Sequence, residues 1–238
     1  VQYLGKLPAV YDPRHLSAVE YLDPSKLSPP ETVDLTAGIT DWPMYANDQM
    51  GDCTCAAIGH MIQRWSLSAT GEQTVISQDD IVAYYRHLSP QDTGAAIANV
   101  LSYTRDVGLV GHKIEGFISV SVSDPRMVKL AAWLFEGLDI GVLLPRTAQG
   151  RASWDVVSGT PDARPGSWGG HSVNVVAVDD TGVTVVTWGK LLHMSWDFWA
   201  TYVDEAWAIL PDDFAAYATK NSPEGFDLES LRKDLRAL

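Results

Sequence analysis

Apolar positions along this chain keep helical spacing through much of its first half and strand alternation through its second. Small and apolar residues from Cys53 to Trp65 predict a first helix, with Gly71 as the break beyond it. Ser77, followed by Gln78-Asp79-Asp80, is a capping residue with acidic residues in the first turn, and it predicts a helix through Ile81–Leu88. Asp92-Thr93-Gly94 predicts a further helix to about Arg105, stopped by Gly108. Lys113–Val122 alternates as a strand, Asp124-Pro125 opens a helix over Met127–Phe135, and Ile140–Leu144 reads as a buried strand. Residues 146–168 are rich in Gly, Ala, Ser, Pro and Thr and predict a loop. Three strand-like runs follow, Ser172–Val178, Gly182–Trp188 and Ala206–Leu210, with a helix capped by Ser195 between the last two.

Helices first and turn-linked strands later predict an α+β fold. The ends differ from this middle. Residues 1–45 carry Pro8, Pro13, Pro24, Pro29, Pro30 and Pro43 with little periodicity, which predicts an extended arm on the surface over residues 1–28 and a short strand near Ile39. The main domain is expected over 29–210. A tail over 211–238 ends in an amphipathic helix, Asp227–Leu238, with Leu228, Leu231, Leu235 and Leu238 at helical spacing.

Composition narrows the function classes. At 238 residues the chain can bury one sizeable core, and its 46% hydrophobic and 20% charged residues are ordinary for a globular domain. Its net charge of −13 disfavours phosphate backbones and anionic lipid, so neither nucleic acid nor a membrane is an expected partner. No apolar run of the roughly 18 residues a membrane helix needs is present. No charged-then-apolar leader is seen, and the expected setting is a cytoplasm. Cys53 and Cys55 are the two cysteines, placed about 200° apart on a helix, which is poor geometry for a disulfide. They cannot build a structural zinc site with each other, and no metal or cofactor is implied.

Two segments carry the candidate chemistry. Gly51-Asp52-Cys53 puts a cysteine at a helix start, where unsatisfied amides favour the thiolate. Gly169-Gly170-His171 puts a histidine at the head of an apolar strand, where it can act as base if the two elements pack together. The Cys53 amide would be one oxyanion donor.

These segments, with Pro30-Glu31-Thr32-Val33-Asp34 before them and Thr187-Trp188-Gly189 after, resemble the papain-like cysteine peptidases in order and character. The run from Asn47 to Ala57 and the segment Thr187-Trp188-Gly189-Lys190 with Met194-Ser195-Trp196 are also similar to papain-like proteins of actinobacteria and their bacteriophages. The resemblance implies a helical layer carrying the cysteine, packed on an antiparallel sheet carrying the histidine. It implies a cysteine peptidase or amidase acting on a peptide or amide substrate through an acyl-enzyme. The competing expectation is a non-catalytic papain-like module with a structural or binding role, for example in a phage particle. There the N-terminal arm and C-terminal helix would clasp protein partners.

The resemblance places an amide side chain six residues before the nucleophile as oxyanion donor. That is Asn47 if Cys53 attacks, or Gln49 if Cys55 does; the Gly-Asp turn favours Cys53. Where the family has an asparagine to orient the histidine, this chain offers Val186 or Thr187. Thr187 can present a hydroxyl and Trp188 can shield the pair from water. Asn174 is expected on the opposite strand face.

Overall fold

The computed structural model describes residues 2–212 and 223–238. Part of the expected tail, 213–222, therefore lies outside the described residues. Among these, eight strands form one sheet: β1 (Val33–Asp34), β2 (Ile114–Ser119), β3 (Leu138–Leu144), β4 (Ser153–Trp154), β5 (Gly169–Val178), β6 (Gly182–Thr187), β7 (Lys190–Ser195) and β8 (Val203–Pro211). Their order is β2-β8-β3-β5-β6-β7-β4, with β1 beside β5. All pairings are antiparallel except β4 with β7. The helices are α1 (Cys53–Thr70), α2 (Gln78–Leu88), α3 (Ile97–Asp106), α4 (Pro125–Leu134), α5 (Trp196–Tyr202) and α6 (Leu228–Leu235). The fold is thus α+β, with α1 packed across β5.

Local chemistry explains most boundaries. Ser77 accepts the Asp80 amide, Asp124 accepts those of Arg126 and Met127, and Ser195 accepts that of Phe198, each closing an otherwise open helix start. α1 ends on Gly71 in the left-handed conformation. Two apolar clusters flank the sheet region. The larger joins α4, α5, α6 and the inner faces of β3, β5 and β6; the smaller joins α1, α2, α3 and Trp207.

Four expectations need correction. The helix expected from Asp92 starts only at Ile97, because Asp92 and Gly94 both have positive φ, 56° and 88°, which a right-handed helix does not accept. The loop expected over residues 146–168 holds a short strand, β4, which pairs with β7, itself turned back on β6 so that Thr187 pairs with Lys190. The short strand of the arm lies at Val33–Asp34 rather than near Ile39. The N-terminal arm does not simply lie on the surface: Lys6, Ala18, Tyr21, Leu22 and Leu27 are buried.

The C-terminal helix turns its apolar face inward. Leu228, Leu231 and Leu235 are buried, a methyl group on Gly116 of β2 would meet Leu235, and Arg232 forks onto Glu115. Leu238, the fourth leucine of the expected stripe, is exposed.

Candidate active site

Cys53 opens α1 because the preceding turn is tightly fixed. Asp52 is fully buried; its carbonyl accepts the amides of Cys55 and Ala56, and its carboxylate accepts that of Ala46. The Gly51 amide donates to Asp92, which also accepts the Tyr85 hydroxyl. Gly59 lets the turn lie close to the helix, since a methyl there would come 2.7 Å from the Tyr45 hydroxyl oxygen. Burial pushes the Asp52 carboxyl up to about 7.

His171 lies near the head of β5, paired with Val142 of β3. Its Nε2 shares a 2.9 Å hydrogen bond with Thr187 Oγ1, and its ring stacks on Trp188 with centroids 4.3 Å apart and planes 11° apart. Nδ1 has no hydrogen-bond partner. The Trp188 placement has a backbone cause. Trp188 and Gly189 both have positive φ, 45° and 71°, so they form the two-residue turn between β6 and β7. That turn sets Trp188 flat against the histidine.

Cys53, His171, Asn47, Thr187 and Trp188 line one small cavity of about 10 Å³, together with His60 and Asn174. Asn174 therefore reaches the same cavity rather than only the opposite face. His60 is buried, and its Nε2–H donates to the Pro43 carbonyl at 2.8 Å. Asn47 is buried, and one of its amide hydrogens reaches the Met44 carbonyl at 3.3 Å. Gln49 is exposed and does not line the cavity. Cys55 is fully buried in the apolar cluster of α1–α3, which pushes its thiol well above the ordinary range.

The dyad residues are covered. Cys53 is 2% exposed and His171 1%. Burial pushes the Cys53 thiol up to about 11, against the amides of Ser172 and Gly5, which act on the sulfur in the opposite sense. Burial likewise pushes His171 down to about 3. Both groups are therefore neutral while covered.

The cover is the chain's own N-terminus, and sequence reasoning missed it. Tyr3–Leu7 runs extended between two walls. Tyr3 N–H donates to Asn47 O at 2.9 Å, Leu7 N–H to Ala95 O at 3.0 Å, and Ala95 N–H to Gly5 O at 2.8 Å. On the other wall, Lys6 N–H donates to Gly170 O at 3.1 Å and the Trp188 indole to Tyr3 O at 3.3 Å. Glycines make the walls narrow enough: a methyl on Gly94 would come 2.3 Å from Gly5 O, and one on Gly170 would come 2.3 Å from Lys6 O. Gly51 beside Cys53 and Gly170 beside His171 were the available signal, since glycines there admit a close backbone.

No family model matches the chain, and no curated protein matches it. Solved structures do. Xylellain, a cysteine protease from Xylella fastidiosa, matches with a TM-score of 0.70 and 17% identity, over 88% of this chain and 96% of that one. The fold is papain-like. Pro-cathepsin B from Trypanosoma congolense matches with a TM-score of 0.60 and 13% identity, over 88% of this chain and 86% of that one. A cysteine protease of Carica candamarcensis, solved with E-64, matches with a TM-score of 0.57 and 12% identity, over 76% of this chain and 98% of that one. At such identities the likeness establishes the papain-like fold, a helical layer on a mostly antiparallel sheet. Among the described residues no cluster of His, Cys, Asp and Glu suits a metal ion, and no helix is long and apolar enough to cross a membrane.

Proposed function

We propose that this papain-like protein is a cysteine hydrolase, a peptidase or amidase, with Cys53 as nucleophile and His171 as base. The observation that carries this reading is that the two line one cavity from facing elements, with Thr187 on Nε2 of the imidazole and Nδ1 left unpartnered. Nδ1 takes the thiol proton, and the thiolate attacks the carbonyl carbon of the substrate. The Cys53 amide and the Asn47 side chain receive the oxyanion, and Gln49 is too exposed to share that role. The imidazolium then protonates the leaving amine, giving a thioester. Water, deprotonated by His171, releases the acid and restores the thiol. Thr187 holds the ring and Trp188 shields it. No cofactor enters any step.

The covering segment favours a second reading, a non-catalytic module whose cleft stays filled. One experiment separates them. Iodoacetamide labelling across pH should reveal, once Tyr3–Leu7 is displaced, a thiolate forming well below the usual thiol value of ~8.5. That reactivity should vanish in Cys53→Ser and persist in Cys55→Ser. Two slow, unperturbed thiols after displacement would overturn the hydrolase reading. The motifs at Asn47–Ala57 and Thr187–Trp196 support a proposed origin in actinobacteria or their bacteriophages, within a host cytoplasm or a phage particle.

A further inference from the structure

The segment that fills the channel is held there in two different ways. Its backbone bonds to Asn47, Ala95 and Gly170 are available to any extended peptide, because they use only main-chain groups. Leu4 packs on the apolar cluster beside Gly169, and the segment's buried charged contact is Lys6. That side chain has no exposed surface, and its Nζ lies 2.8 Å from Asp204 Oδ2 and 2.9 Å from Glu205 Oε1. Gly141 supplies the floor, since a methyl group there would come 2.1 Å from Lys6 Cε.

The pocket is built into the sheet beside the dyad. Gly141 of β3 pairs with Ser172 on one side and Glu205 on the other, so the pocket lies next to the strand that carries His171. Glu205 is fixed by the Trp207 indole, which donates to Oε2 at 2.8 Å. Asp139, fully buried on β3, accepts the Ser172 hydroxyl on Oδ1, while its Oδ2 has no hydrogen-bond partner. Two carboxyl groups thus hold one cation, with Asp139 buried behind them on the same sheet. With Lys6 in place the Glu205 side chain is 2% exposed, so whatever fills the pocket takes this acid out of water.

We propose that this pocket, floored by Gly141 and walled by Asp204 and Glu205, selects peptide substrates that carry a lysine- or arginine-like side chain. Lys6 holds the place of that side chain until the segment leaves. This specificity rests on the hydrolase reading of Cys53 and His171, but the pocket can be tested without turnover. An apolar side chain would desolvate Glu205 without pairing it, and an acidic one would add repulsion.

The test uses the Lys6→Ala chain. Iodoacetamide labelling of Cys53, localised by mass spectrometry, is followed with added acetyl-Tyr-Leu-Gly-Lys-Leu-amide, or the same peptide with norleucine or glutamate in place of lysine. The lysine peptide should protect Cys53 at a concentration at least about tenfold below the norleucine peptide, and the glutamate peptide should not protect. Glu205→Gln should erase the difference. Equal protection by lysine and norleucine peptides overturns the proposal, as does discrimination that survives Glu205→Gln. If Lys6→Ala fails to fold, Gly5→Ala serves: its methyl would come 1.8 Å from Gly51 O, which expels the segment and leaves the acids intact. Discrimination without cleavage of any peptide retains the pocket and removes the hydrolase reading. Cleavage with no preference for a cation does the reverse.

Discussion

His171 Nε2 and Thr187 Oγ1 stand 2.9 Å apart in a site from which water is almost excluded. The hydroxyl engages one nitrogen of the ring, and the other is left unpartnered. Trp188 holds the plane of the ring from one face. The orientation of His171 thus depends on two consecutive residues of a single β-turn.

Thr187→Val keeps the side-chain shape and removes the hydroxyl. A buried imidazole nitrogen loses its partner, so stability should fall by about 1–3 kcal/mol in urea melts. Under the proposed mechanism, turnover should also fall by at least about tenfold, since a base held out of line loses much of the 10²–10⁴ that general-base catalysis supplies. Thr187→Ser should restore most of both.

Lys6→Met should destabilise the protein strongly. It keeps much of the buried stem and removes the charge, leaving Glu205 buried without its counter-ion at a cost of about 3–5 kcal/mol. The double variant Lys6→Met, Glu205→Gln should recover part of that loss in a thermodynamic cycle. Additive losses would show that the ion pair is not the anchor.

Gly170→Ala tests how the channel is closed. Its methyl, fixed rigidly to the β5 backbone, would come 2.3 Å from the backbone oxygen of Lys6, so the segment has to move. Cys53 should then alkylate faster, and limited proteolysis should begin within the first ten residues. Unchanged reactivity of Cys53 would show that the segment does not guard it.

Stability should fall as pH rises from about 6.5 to about 8. Burial holds Asp52 up at about 7 and Asp139 at about 8, so the folded chain keeps protons that the unfolded chain released near ~3.9. These raised carboxyls add stability that is full at low pH and is lost as pH passes their folded values. His171, near 3, and His60, near 4, have the opposite sign. The unfolded chain binds their protons first, near ~6.5, so their contribution is full above that pH and is lost on acidification. The two effects offset each other between about pH 4 and 6.5, leaving the carboxyls unopposed above it. Urea midpoints across pH should show this slope, and Asp139→Asn, whose amide oxygen can still accept from Ser172, should remove roughly two-thirds of it.

Local signals in the sequence account for much of this protein. Serine and aspartate caps set the starts of α2, α4, α5 and α6, because their side chains satisfy amides within a few residues of themselves. Gly51-Asp52-Cys53 and Gly169-Gly170-His171 announced a helix and a strand whose first residues could meet, and their flanks carried the likeness to the papain-like fold. Thr187 was legible as a possible orienter by its place beside Trp188-Gly189.

Only the tertiary structure decided what occupies the cleft. A proline-rich arm has no periodicity to show where it docks, and Lys6, Ala95 and the pair Asp204-Glu205 come from three separate parts of the chain. What joins them is backbone pairing and charge burial, and neither leaves a local pattern. The start of α3 lies later than local propensity suggests, since Asp92 and Gly94 take positive φ in the wall against which Gly5 docks. The burial that holds Cys53 and His171 neutral is likewise a property of the assembled layers. The sequence alone determined the residue types and their order, while long-range packing decided which of them are covered, paired and charged.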